Sequence, residues 1–275
     1  MARAANENFP VASRVLPARV RAHLLAVYGF ARLVDELGDD TGGSPEERLA
    51  ALDWLERELD RAFAGEAEHP LLVRLQVTVR ECALPREPFA RLIEANRVDQ
   101  RVGRYQTWAQ LRDYCALSAD PVGEIVLGVL GLATPARVAL SDSICTALQL
   151  TEHCQDVSED LARGRIYLPA EDLQRFGCAE ADLAADRVSE PLREVLAFEV
   201  ARARALLAEG LPLIAELRGR AMLAVAAFAA GGSAALDAIE RARYEVLAGP
   251  PRAGHARRVV ALAATLRQAN RSQRS

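Results

Sequence analysis

The chain has 275 residues, 51% of them hydrophobic and 26% charged, with a formal net charge of −4. That is enough apolar material for a sizeable core, and the weak negative charge excludes a nucleic-acid surface held by bulk electrostatics. All 34 basic residues are arginines, which excludes chemistry built on an essential lysine and leaves forked recognition of phosphate or carboxylate available.

In chain order, helical periodicity dominates. It predicts helices over Arg19–Asp40, Pro45–Ala64, Pro70–Cys82, Pro88–Val102, Ala109–Leu132 and Ala136–Ala162, then Pro191–Arg218, Arg220–Ala230 and Ser233–Leu247. Ser44-Pro45, Glu87-Pro88, Thr134-Pro135 and Gly231-Gly232 punctuate the series. No stretch alternates convincingly with period two, so the fold class is all-α, read as one domain with a tail frayed from about 268. Cys82, Cys115, Cys145, Cys154 and Cys178 form no CxxC pair and fit reduced thiols in a cytosolic protein. The opening MARAANENFPVAS lacks the apolar core of a secretory signal. The apolar run Ala221–Ala230 is too short to span a bilayer, which leaves only surface contact with a membrane open.

Two acidic stripes stand out. Tyr28, Arg32, Asp35 and Asp39 fall at steps of four, three and four on the first helix, one face at successive turns. Gln149, Glu152, Asp156 and Asp160 repeat the pattern on a later helix. Like charges at such spacings repel, and a solvated acidic face is the plain alternative for either stripe alone. Both are embedded in apolar helices, where carboxylates need a counter-charge. Oxygen ligands without a suitable His/Cys cluster favour Mg²⁺ over zinc, and Mg²⁺ commonly bridges one or two carboxylates to substrate phosphates. Two facing DxxxD helices across a bundle cavity would clamp a diphosphate, with Arg32, Arg163 and Arg165 to complete its neutralisation.

Other signals have ordinary explanations. Glu66-Ala-Glu-His69 spells ExxH but lies between Gly65 and Pro70 and reads as a loop. His153 beside Cys154 points about 100° away from it on a helix, which disfavours a nucleophile–base pair. Tyr28 and Tyr114, on the residues alone, read as core tyrosines. Gly123, Gly128 and Gly131 suit close helix packing or room for a prenyl chain.

ENFPVASRVLPARVRAHLLAVYGFARLVDELGDD, YCALSADPVGEIVLGVLG and LQLTEHCQDVSEDLARGRIYLPAEDLQRFG, in that order from about Asn6 to Gly177, resemble the squalene/phytoene synthase family. AIERARYEVL is a weaker echo. ENFPVAS and YCALSADPVG are most similar to the bacterial hydroxysqualene synthase branch of hopanoid synthesis. The resemblance implies an all-α isoprenoid synthase bundle with a central hydrophobic cavity. It makes Asp35 and Asp39 the first metal pair and Asp156 and Asp160 the second, with Mg²⁺ as cofactor. It places Arg32, Tyr114, Gln149 and Arg165 around the diphosphate or cation, adds Tyr28 to the catalytic set, and puts Ser13 and Arg163 near phosphate. The implied reaction ionises presqualene diphosphate, rearranges the cyclopropylcarbinyl cation and captures it with water, giving hydroxysqualene and pyrophosphate. That is lyase or transferase chemistry on a long isoprenoid diphosphate in the cytoplasm or at the inner membrane face. An enzyme making presqualene diphosphate and a hydroxysqualene reductase would be its functional partners. Condensation of two prenyl diphosphates to presqualene diphosphate, squalene or phytoene is the nearer alternative, and a non-catalytic scaffold the farther one.

Two positions depart from the family pattern. Glu152 stands where asparagine is common, either as a third oxygen ligand or as a mark of altered chemistry. Gly38 interrupts the first pair at a helix cost of about 1 kcal/mol relative to alanine, which would let the helix end loosen around Asp39 and Asp40.

Overall fold

Pro45 opens a helix behind Ser44, whose Oγ accepts from the Glu47 N–H while the Glu47 carboxylate accepts from the Ser44 N–H. This reciprocal cap satisfies two amides that the first turn cannot pair. At the other end Gly65 takes the left-handed backbone (φ 87°) that closes the helix. Such local signals recur through a computed structural model that describes residues 16–39 and 43–272. Its helices are α1 (Ala18–Asp39), α2 (Pro45–Ala64), α3 (Pro70–Glu81), α4 (Glu87–Asp99), α5 (Trp108–Ser118), α6 (Asp120–Val129) and α7 (Pro135–Gln155). There follow α8 (Val157–Ala162), α9 (Ala170–Arg175), α10 (Glu180–Leu183), α11 (Glu190–Gly210), α12 (Pro212–Glu216), α13 (Gly219–Arg241) and α14 (His255–Ser272). Among the described residues the extended structure is one isolated parallel bridge between Arg104 and Ile166.

Three predicted helices are broken and two are joined. Proline accounts for two of the breaks: Pro121 and Pro212 have no N–H to donate one turn back, so Ala109–Leu132 divides into α5 and α6, and Pro191–Arg218 into α11 and α12. The third break falls at Asp156, whose backbone (φ −103°, ψ 21°) leaves the helical region between α7 and α8. Conversely, Gly231-Gly232 lies inside α13. A Cβ at Gly232 would overlap the Leu148 side chain of α7, so glycine there permits close helix approach. Helix α13 stops at Arg241, short of Leu247, where Arg243 and Tyr244 both adopt positive φ and the Tyr244 N–H returns to the Ile239 carbonyl. Helix α14 has no counterpart in the periodicity analysis and continues through the tail to Ser272.

The chain divides into two compact units. The first comprises Leu16–Val102 and Tyr114–Asp142. In it α1 packs against α2, α3, α4 and α6 around fully buried Phe30, Leu52, Leu55, Leu59, Leu72, Leu75, Phe89 and Ile93. Phe30 and Phe89 meet edge to face at 5.4 Å, a favourable aromatic arrangement. The second comprises Gly103–Asp113 and the residues from Ser143 on. There α13 packs against α11, α12 and α14, and α12 also against α14, over Leu192, Val195, Leu196, Ala226, Leu236 and Ile239.

Candidate active site

In the first unit, α1 carries Tyr28, Arg32 and Asp35 on one side and buries Phe30 and Val34 on the other. Asp35 is 54% exposed and pairs with Arg32 at 3.6 Å. Arg32 of the same helix thus supplies a counter-charge, and burial does not force a cation there. Asp39 ends α1; its side chain, with Asp40 and Ser13, lies outside the described residues. Gly38 itself is packed, whereas the chain from Asp40 to Gly42 lies outside the described residues. Gly38 is buried against α4, where a Cβ would overlap Asn96, and its carbonyl accepts from the Gln100 side-chain amide at 3.0 Å. Tyr114 is 6% exposed and its hydroxyl donates to the Asp99 carboxylate at 2.9 Å.

In the second unit, Gln149 and Glu152 belong to α7, Asp156 to the junction and Asp160 to α8. The stripe survives the break because the ladder spans it: the Asp156 N–H donates to the Glu152 carbonyl at 2.9 Å and the Asp160 N–H to the Asp156 carbonyl at 2.8 Å. Glu152 is exposed, while Asp156 and Asp160 are partly buried. The Arg163 and Arg165 amides both donate to the Asp160 carbonyl, at 3.0 and 2.9 Å, which turns the ARGR segment sharply around that residue. The close approach of Gly103 to the Gly164 carbonyl, and the bond from the Ile166 N–H to the Gly103 carbonyl (2.9 Å), hold the turn against the Gly103–Tyr105 segment.

Periodicity singles out carboxylates here and misses their neighbour. His153 is 6% exposed, with Nδ1 3.9 Å from the Asp160 carboxylate. Its ring stacks on Tyr167 at 4.0 Å and 13°, and Nε2 lies 3.3 Å from the Gln149 amide nitrogen. Tyr105 stacks on the same Tyr167 at 5.8 Å. His153, Asp160, Arg165 and Tyr167 line a small pocket closed on its apolar side by Val157 and Leu183. The i,i+4 relation of Gln149 to His153 is visible in sequence; the stack is not, because the turn after α8 brings Tyr167 back. Cys154, fully buried, has its thiol pushed well up by desolvation and then by the Glu199 carboxyl, which makes it a poor nucleophile for a pairing with His153. Residues Glu66–Glu68 form a loop, and His69 stands at the start of α3.

No group of three or more His, Cys, Asp or Glu side chains among the described residues forms a metal cage. Mg²⁺ needs none: it keeps several waters and binds through one or two carboxylates together with substrate phosphates. Each unit contributes hard carboxylate oxygens: half-exposed Asp35 in the first, partly buried Asp156 and Asp160 in the second. Oxygen donors of this kind fit a hydrated Mg²⁺ and suit zinc poorly.

The helical fold is shared with a group of known proteins. The chain belongs to the squalene/phytoene synthase family, whose model matches residues 2–263. That family processes prenyl diphosphates and is generally dependent on divalent metal. Among relatives, hydroxysqualene synthase of Sinorhizobium fredii is 35% identical over 213 residues, covering 77% of this chain and 72% of the relative. Phytoene synthase of Arthrospira platensis is 33% identical over 257 residues, covering 87% and 82%. The crystal structure of squalene synthase HpnC from Alicyclobacillus acidocaldarius superposes with a TM-score of 0.82 at 49% identity, covering 88% of this chain and 91% of that one. A dehydrosqualene synthase determined with a ligand gives 0.86 at 26% identity, covering 94% and 90%.

Proposed function

We propose that this chain, acting as one synthase domain, converts presqualene diphosphate and water into hydroxysqualene and pyrophosphate. The observation that carries the reading is its likeness to hydroxysqualene synthases of Sinorhizobium fredii and Rhodopseudomonas palustris, at 35% and 36% identity, together with the ENFPVAS and YCALSADPVG segments. The free cysteines support a reducing compartment, the cytoplasm.

Asp35, Asp39, Asp156 and Asp160 would hold Mg²⁺, which when bound supplies Lewis-acid stabilisation of the departing diphosphate. Arg32, Arg163 and Arg165 add forked hydrogen bonds to phosphate oxygens, and Gln149 and Ser13 complete the polar contacts. As the C–O bond breaks, its electron pair leaves with pyrophosphate. Tyr28 and Tyr114 present π-faces and hydroxyl dipoles to the allylic and cyclopropylcarbinyl cations. Water then forms the new C–O bond and loses a proton. Glu152 serves on this reading as an additional oxygen donor from the exposed side of α7. An enzyme delivering presqualene diphosphate and a reductase consuming the allylic alcohol would flank the step.

The phytoene synthase relatives favour a second reading, condensation of two prenyl diphosphates. Incubating the protein and Mg²⁺ with presqualene diphosphate, then separately with farnesyl or geranylgeranyl diphosphate, separates the two. Hydroxysqualene from the first incubation alone is expected. Turnover of only the simple prenyl diphosphates overturns the assignment.

A further inference from the structure

Charge is distributed unevenly along the sequence. From Val246 on there are six arginines and no aspartate or glutamate, whereas the preceding residues hold 28 arginines against 38 acids, a net of −10. Helix α14 carries four of the six, Arg257, Arg258, Arg267 and Arg271. Its inner stripe, Ala261, Thr265 and Ala269, is buried, with Ala261 packed on Ala230 and Ala234 of α13. The opposite side exposes Val259 and Val260, 55% and 68% accessible, the latter the most exposed large apolar side chain among the described residues. Ala256 and Ala264 share that side, and Arg257 and Arg267 border it. Among the described residues, Arg252, Arg257, Arg258 and Arg267 form no ion pair.

A single exposed valine needs no explanation. An apolar face bordered by two arginines, on a helix without acids in a molecule otherwise negative, has the two ingredients of an interfacial helix: apolar area to enter the headgroup layer and cations for anionic lipid. We propose that this face of α14 docks the protein on an anionic bilayer surface, with Val259 and Val260 inserted at headgroup depth and Arg257 and Arg267 on lipid phosphates. Helix α13 is long and apolar enough to cross a membrane, but 61% of its most apolar stretch is buried inside the protein, so α14 makes a surface contact. The use of such contact, exchanging long isoprenoids with the bilayer, rests on the function proposed above; the surface itself does not.

The test is co-sedimentation of the full chain with vesicles of phosphatidylcholine alone or mixed equally with phosphatidylglycerol, without substrate. Binding to the mixed vesicles only, released at high salt, is expected. Arg257→Gln/Arg267→Gln and Val259→Ser/Val260→Ser should each weaken it by about tenfold, with unchanged thermal melting and unchanged turnover of detergent-dispersed substrate. The proposal is overturned by equal binding to neutral vesicles, by variants that bind like the parent, or by a parent dimer that Val259→Ser/Val260→Ser dissociates, since the face would then join two copies. Because vesicle binding is read without turnover, a wrong assignment of the reaction leaves this result standing, and the reverse also holds.

Discussion

Asp160 sits where a helix end, a sharp turn and a stacked imidazole meet, with its backbone carbonyl held by two amides and its carboxylate beside His153. A carboxylate intended for a hydrated ion gains from such orientation, because outer partners typically change metal affinity or activity by about 10- to 100-fold. His153→Phe keeps the stack on Tyr167 and removes Nδ1. It should raise the Mg²⁺ concentration for half-maximal turnover by about tenfold, and should likewise raise that for pyrophosphate-dependent thermal stabilisation. An unchanged Mg²⁺ requirement would make His153 a packing residue only. Asp156→Asn should lower kcat by about 100-fold or more while leaving the melting temperature near that of the parent, since its side chain is partly open. Elsewhere, Glu199 is 1% exposed; Arg202 donates to one of its oxygens and the other has no hydrogen-bond partner. Burial, opposed by Arg202 and assisted by neighbouring Asp172, pushes its carboxyl up to about 8. The folded protein therefore holds a proton that the unfolded chain, near 4.5, releases sooner. Stability should fall as pH rises from about 4.5 towards about 8 and level off beyond. Glu199→Gln should abolish that part of the slope in thermal melts across this range.

Much of the helix pattern was legible because its signals are local: Ser44-Pro45 and Gly65 bound α2 as their chemistry requires. The failures have physical causes. Helix α13 runs through two glycines because packing against Leu148 outweighs their poor propensity, and α14 escapes notice because its arginines make the stretch polar on average although its apolar residues recur at helical spacing. The acidic stripes were legible as positions and not as surroundings. Asp35 is exposed and paired with Arg32, and the Asp156 break interrupts a helix that spacing treats as continuous. Gly38 is the sharpest reversal. On propensity alone Gly38→Ala should stabilise α1 by about 1 kcal/mol. Overlap with Asn96 of α4 predicts a loss of about 1–3 kcal/mol instead, measurable by urea unfolding, and Gly38→Ala/Asn96→Ala should recover most of it. A more stable single variant would show that α4 yields without strain.

At the scale of the whole molecule, family membership and the all-α fold follow from a match over residues 2–263 and from superposition on squalene synthase HpnC. The reaction depends on finer features, because hydroxysqualene and phytoene synthases are nearly equally similar to this chain. What separates those chemistries is the fate of the carbocation: capture by water, or loss of a proton or gain of a hydride. The most direct measurement is therefore turnover of presqualene diphosphate with Mg²⁺ in ¹⁸O-labelled water, followed by mass spectrometry of the extracted product. The account predicts hydroxysqualene carrying one solvent-derived ¹⁸O and release of one pyrophosphate. A hydrocarbon product, or no turnover of presqualene diphosphate by a protein that condenses simple prenyl diphosphates, would contradict it.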